Sequence, residues 1–198
     1  MKKPKIVLIG FRGAGKTTFG REMARLAGLP FADLDAEVEF LIGESIESFV
    51  DKHGWQVFRE VEQRVAHDFS RNFSGILATG GGTIENSKNL QNLKKTGTFV
   101  FLNPNFSDVR KYLLTPENTR PALNPELSPA EEIDMMWNQR KGIYAATAEI
   151  EVNPDINGDL EAESQKIIDA VTPRLMPNQP KERKVVICLL YTSPSPRD

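Results

Sequence analysis

The chain has 198 residues, a formal net charge of −2 and one cysteine, Cys188. That length suits one α/β domain with a little left over, large enough to bury a core without disulfides or metals. The near-neutral charge excludes a global field for nucleic acid or an anionic membrane, so an anionic ligand needs a local basic cluster. A single cysteine cannot form an intramolecular disulfide, no apolar run is long enough to span a bilayer, and Met1-Lys2-Lys3-Pro4 does not open a signal peptide. A soluble cytoplasmic protein is expected.

Residues 5–9 (KIVLI) form a continuous apolar run ending at Gly10, as in a strand covered on both faces. Residues 16–28 read as a helix, with Phe19, Met23, Leu26 and Ala27 at helical spacing and Gly28 as its stop. A second strand is expected at 31–34. Helices follow at 36–41 and 45–52. A longer amphipathic helix opens at Gly54, with Val57, Phe58, Val61, Val65 and Phe69 on one side. Residues 76–78 form a third strand ending in Thr79-Gly80-Gly81-Gly82. A helix at 89–95 and a strand at 98–102 come next.

Residues 103–129 hold Pro104, Pro116, Pro121, Pro125 and Pro129 and read as a mobile loop with one short helix near 109–114. Helical periodicity returns at 129–146, followed by a fifth strand at 148–152 and a closing helix at 160–171. This alternation indicates an α/β fold, a five-stranded parallel sheet flanked by helices. From 173 the composition changes. Residues 176–183 read as a linker, 184–190 as a candidate strand, and 191–198 as a Pro/Ser-rich end.

Residues 10–17 (GFRGAGKT) match G-x-x-x-x-G-K-[ST] between a buried strand and a helix. Glycines let the backbone fold into a nest of N–H groups, and the helix start adds its positive end to the same anion. Lys16 supplies a point charge near β- and γ-phosphates, and the Thr17 hydroxyl can ligate Mg²⁺. A plain Gly-rich turn is the alternative. The motif itself does not separate kinases from switch GTPases, but no guanine-reading N-K-x-D sequence is present.

The acceptor side is less specific. Asp33 and Asp35 flank Leu34 at the expected end of the second strand, where i and i+2 share a face. One could hold magnesium-bound water and the other accept hydrogen bonds from substrate hydroxyls; a helix-capping pair is the bland reading. Arg59 and Glu62 are spaced to pair on a helix, either as a surface salt bridge or as a carboxylate-binding guanidinium oriented by its glutamate. Gly80, Gly81 and Gly82 permit close backbone approach to a ligand, or make a flexible turn. Arg120 could close over the phosphates or stay solvated. Arg140, four residues before Tyr144, is a second carboxylate-binding candidate or a surface residue. His53 and His67 lack metal-ligand spacing, Met135, Met136 and Trp137 read as core, and Cys188 has no nearby base.

Taken in order, GFRGAGKT, Asp33-x-Asp35, Phe58-Arg59-x-x-Glu62, Gly80-Gly81-Gly82, Arg120-Pro121 and Arg140-x-x-x-Tyr144 resemble the shikimate kinase family over most of residues 1–172. The resemblance implies a nucleoside-monophosphate-kinase-like P-loop fold with a mobile lid. It implies transfer of the γ-phosphate of ATP to the 3-hydroxyl of shikimate, by a monomer. Gly13, Ala14, Gly15, Lys16, Thr17, Thr18 and Arg120 would hold ATP, and Thr17 with Asp33 would serve Mg²⁺. Lys16, Asp35 and Arg120 would be catalytic. Asp35, Arg59, Gly80, Gly81, Gly82 and Arg140 would bind shikimate. The lid departs from the family's usual leucine at Ala122, and Arg110 lies near the adenine region. A different small-molecule kinase, such as a gluconate-type one, and a non-catalytic nucleotide switch are the alternatives. Residues 184–190 (KVVICLL) resemble the first strand of type I 3-dehydroquinate dehydratase. Residues 173–198 then read as a linker and the start of a second unit or foreign sequence.

Overall fold

A computed structural model describes residues 5–118 and 126–175. The elements are β1 (Lys5–Ile9), α1 (Lys16–Ala27), β2 (Phe31–Asp33), α2 (Leu34–Ile42), α3 (Ile46–Asn72) and β3 (Gly75–Ala78). A 3₁₀ turn (Thr83–Glu85) follows, then α4 (Ser87–Lys94), β4 (Thr98–Leu102), α5 (Phe106–Leu113), α6 (Pro129–Thr147), β5 (Ile150–Val152) and α7 (Leu160–Leu175). The five strands form one parallel sheet in the order β2-β3-β1-β4-β5. β1 is therefore central, and its five residues are all buried.

Strand periodicity sorts the core into two layers. Ile6 and Leu8 face one side, where Phe19 and Met23 of α1 meet Ile167 and Val171 of α7. Val7 and Ile9 face the other, against Val38, Phe58, Val65, Leu93, Val109, Ile133 and Tyr144. Burying an aliphatic side chain such as Val7, Leu8 or Ile9 contributes about 1.5–3 kcal/mol each, so β1 anchors the sheet. Because all strands are parallel, the segments leaving β1, β2 and β3 emerge at one rim, where open α/β sheets bind ligands.

Several boundaries differ from the sequence expectation, each for a local reason. The second strand ends at Asp33, not Leu34. The Asp33 side chain accepts hydrogen bonds from the backbone N–H groups of Asp35 and Ala36, so it caps α2 and starts the helix early. Asp33 and Asp35 are thus not two same-face residues of a strand: one ends β2 and the other lies in the first turn of α2. The two helices expected around Gly54 are joined as α3, with a break where Gly54 takes φ 81° and ψ 163°. The short helix near 109–114 lies earlier, at Phe106–Leu113, because Asn105 caps it through the Ser107 N–H. Helix α6 opens on a reciprocal cap between Ser128 and Glu131, with Pro129 at its first turn.

Two core assignments fail on helix faces. Met135 is 40% exposed and Val57 is equally so. Met136 and Trp137 instead pack on the core. The Trp137 ring stacks on Phe106 at 4.8 Å, and Phe11 meets both rings edge-on at 5.8 and 6.1 Å. This aromatic group ties the loop after β1 to α5 and α6.

Candidate active site

The loop from Gly10 to Gly15 needs backbone shapes that L side chains rarely adopt. Gly10, Gly13 and Gly15 all have positive φ, and a Cβ at Gly15 would meet the Phe19 ring at 2.7 Å. Lys16 follows as the first residue of α1. Its ammonium donates to the carbonyls of Gly10 (2.9 Å) and Phe11 (2.8 Å), so it lies folded over the loop. Burial pulls its pKa down from 10.5 to about 8; the carboxylates of Asp35 and Asp33 partly offset this, and Arg140 adds to the depression. Both aspartates and an α6 arginine thus act on the charge of one lysine.

The Asp33 carboxylate uses both of its oxygens. Asp33 Oδ1 holds the α2 cap, with Asp35 N at 3.0 Å. Asp33 Oδ2 accepts from Thr17 Oγ1 at 2.5 Å. A hydroxyl and a carboxylate oxygen are hard donors of the kind Mg²⁺ takes, alongside phosphate oxygens and water. Among the described residues no group of three His, Cys, Asp or Glu side chains could hold a metal. That is compatible with Mg²⁺, which binds through few protein groups plus substrate phosphates.

Gly80, Gly81 and Gly82 form the floor between these groups. A Cβ at Gly80 would collide with Asp35 Oδ1 and crowd Thr83 Oγ1. One at Gly81 would lie 3.4 Å from the Arg12 backbone nitrogen, so the phosphate loop packs on this glycine. One at Gly82 would fall 2.9 Å from Arg59 Nη2 and 3.0 Å from Glu85 Oε2. Gly80 and Gly82 are therefore the closely packed positions, while a Cβ at Gly81 would make only ordinary contacts. Thr79 pins the segment to β1, with its N–H and hydroxyl both donating to the Leu8 carbonyl at 3.1 and 3.0 Å.

Arg59 reaches this floor from α3. It donates from Nη1 to Glu62 Oε2 at 2.8 Å, and lies over the Trp55 and Phe58 rings at 5.5 and 5.1 Å. Glu62 is buried and its other oxygen accepts from Thr83 Oγ1 at 2.8 Å. This is not a loose surface pair, because the carboxylate is fixed on both oxygens. Arg140 arrives from α6 and donates to Glu85 from Nε (2.9 Å) and Nη2 (3.0 Å). One turn later, Tyr144 is buried against Phe101 and donates its hydroxyl to the Gly81 carbonyl at 2.5 Å. Burial raises the Tyr144 pKa, so it remains a hydrogen-bond donor.

The structure therefore brings together Gly13, Ala14, Gly15, Lys16, Thr17, Asp33, Asp35, Arg59, Gly80, Gly81, Gly82 and Arg140. Thr18 follows on α1. Arg120 and Ala122 lie outside the described residues, as do Cys188 and the 184–190 segment. Arg110 is engaged by Asp134 at 2.8 and 3.1 Å. Sequence reasoning missed Glu85 and Thr83. Their only signal was position, three and one residues after the glycine run respectively, and a lone Thr or Glu in a turn has no distinctive pattern.

Comparison with known proteins is consistent with this geometry. The family described as shikimate kinase matches residues 12–172. The shikimate kinase of Paracidovorax citrulli is 34% identical over 164 residues, covering 82% of this chain and 88% of that protein. The pentafunctional AROM polypeptide of Candida glabrata is 30% identical over 202 residues, spanning 96% of this chain but 12% of that protein. Among solved structures, shikimate kinase from Acinetobacter baumannii in complex with shikimate superposes with a TM-score of 0.77 at 29% identity, covering 90% of this chain and 96% of that one. The chain belongs to the shikimate kinase family.

Proposed function

We propose that this chain transfers the γ-phosphate of ATP to the 3-hydroxyl of shikimate, giving ADP and shikimate 3-phosphate. The observation that carries the reading is the convergence of a phosphate loop, an Asp pair and two glutamate-held arginines on one glycine floor. Shikimate offers one carboxylate and three hydroxyls, and the site offers two guanidinium groups and a carboxylate, Asp35. The backbone of Gly13, Ala14 and Gly15, with Lys16, Thr17 and Thr18, would bind the ATP phosphates. Thr17 and Asp33 would hold Mg²⁺, which neutralises phosphate charge when bound.

In the reaction the acceptor oxygen bonds to the γ-phosphorus as the bond from that phosphorus to the β,γ-bridging oxygen breaks. Asp35 orients the attacking hydroxyl and takes its proton. Lys16 stabilises charge on the transferring group, and Arg120 would add to this from the lid. Arg59 and Arg140 take the carboxylate, and Gly80, Gly81 and Gly82 let the acceptor approach the backbone. No covalent intermediate is required, so positioning and charge stabilisation supply the rate.

The test separates binding from chemistry. Arg59→Ala should raise KM for shikimate far more than KM for ATP, while Asp35→Asn should abolish turnover with the nucleotide still bound. A raised ATP KM in the arginine variant, or near-normal kcat in the aspartate variant, would show those roles to be misassigned.

The same reading takes residues 1–172 as the kinase unit and 173–198 as a linker and tail. The match to the AROM polypeptide takes in more of this chain than residues 1–172 provide, which supports reading part of 173–198 as continuous with the kinase unit in a longer protein. Sequencing the source transcript past codon 190 tests it; an immediate authentic stop would remove the second unit. A monomer working in the cytoplasm, without nucleic acid or membrane, completes the proposal; no described helix is long and apolar enough to cross a membrane.

A further inference from the structure

We infer that Glu85 is a positioning residue for the acceptor carboxylate: it holds Arg140 so that the free terminal edge of the guanidinium faces the site. The inference rests on the reading that Arg140 binds that carboxylate.

Arg140 and Glu85 are 55 positions apart and come from different elements, α6 and the 3₁₀ turn after the glycine run. Glu85 takes the Nε and Nη2 protons on one side of the guanidinium, at 2.9 and 3.0 Å. Nη1 and the outer Nη2 proton are not used by Glu85, and together they form the second fork that a carboxylate can take bidentately. The Arg140 side chain is 14% exposed and Glu85 37%, so the guanidinium is largely enclosed beside its glutamate.

Arg59 is also held by a glutamate, but through one contact, from its Nη1 to Glu62, which is itself fixed by Thr83. The two devices meet at Gly82. A Cβ there would lie within 3.3 Å of both Arg59 terminal nitrogens and 3.0 Å from Glu85 Oε2. Arg59 and Arg140 thus each meet a glutamate of their own, Glu62 and Glu85, beside Gly82. Each guanidinium charge is balanced by its own carboxylate. For Arg140, Glu85 takes one fork and leaves the other for the acceptor's acid.

Glu85→Ala, Glu85→Gln, Arg140→Ala and the double variant Glu85→Ala/Arg140→Ala are compared by steady-state kinetics with ATP, Mg²⁺ and shikimate. Glu85→Ala should raise KM for shikimate about tenfold, with kcat and KM for ATP changed less than about threefold. Glu85→Gln, which keeps one acceptor oxygen, should fall between wild type and alanine, and it carries the test if the alanine variant loses its fold. The double variant should be no worse than Arg140→Ala alone, the signature of a residue acting through another. If Arg140→Ala raises KM for shikimate while neither Glu85 variant does, or if Glu85→Ala lowers that KM, the positioning role is wrong. If Arg140→Ala itself leaves KM for shikimate unchanged, the carboxylate assignment of Arg140 fails, and the Glu85 inference with it.

Discussion

Lys16 is the residue at which folding and the proposed function pull in opposite directions. Its ammonium is buried, and burial lowers its pKa from 10.5 to about 8. Between those values the folded chain binds fewer protons than the unfolded chain, so this lysine's contribution to stability improves as pH rises from about 8 to 10.5. Below pH 8 the full cost applies, on the order of 3 kcal/mol. Lys16→Met should therefore raise the melting temperature at pH 7, with the gain fading towards pH 10.5, while turnover is lost. The opposite trend in a pH series of melting curves would contradict the burial argument. The polyphosphate of ATP favours the charged form, so KM for ATP should climb above pH 8, by at most about tenfold per pH unit. Asp33 shows the same economy at the side-chain level. One oxygen caps α2, and the other receives Thr17, the contact that supports its proposed part in holding Mg²⁺.

At the level of elements, the glycine run is the part most exposed to a single methyl group. In Gly80→Ala the new carbon meets Asp35 Oδ1 and Thr83 Oγ1, both at side-chain ends that can give way. The fold should survive, with a melting temperature near that of the parent, while the displaced Asp35 lowers kcat by about a hundredfold. An unchanged kcat would show that Asp35 does not need its present position. Most elements were legible because their signals are local: continuous apolar runs for β1 and β4, helical spacing in α1, and Gly54 where α3 breaks. The errors arose where a side chain overrode the pattern. Asp33 turned an apparent strand end into a helix start, and Met135 points outward from a helix whose core contacts are made by Met136 and Trp137. Glu85 was invisible because its importance comes from an arginine 55 positions away.

Across the whole molecule, alternating strands and helices foretold a parallel sheet, but periodicity does not say which strands are neighbours. The order β2-β3-β1-β4-β5 emerges only from the three-dimensional pairing. That order sets β1 beside β3, so the phosphate loop lies against the glycine floor, and α6 crosses back to deliver Arg140 and Tyr144 to it. The proposed nucleotide and acceptor groups, spread along the chain from Gly10 to Arg140, thus share one rim. The most direct test of that shared rim is a coupled ADP-release assay with ATP and Mg²⁺, run with and without shikimate. Strong shikimate-dependent ADP release is the expected result. Tight ATP binding with no shikimate-dependent release would contradict the assigned acceptor while leaving the phosphate loop in place.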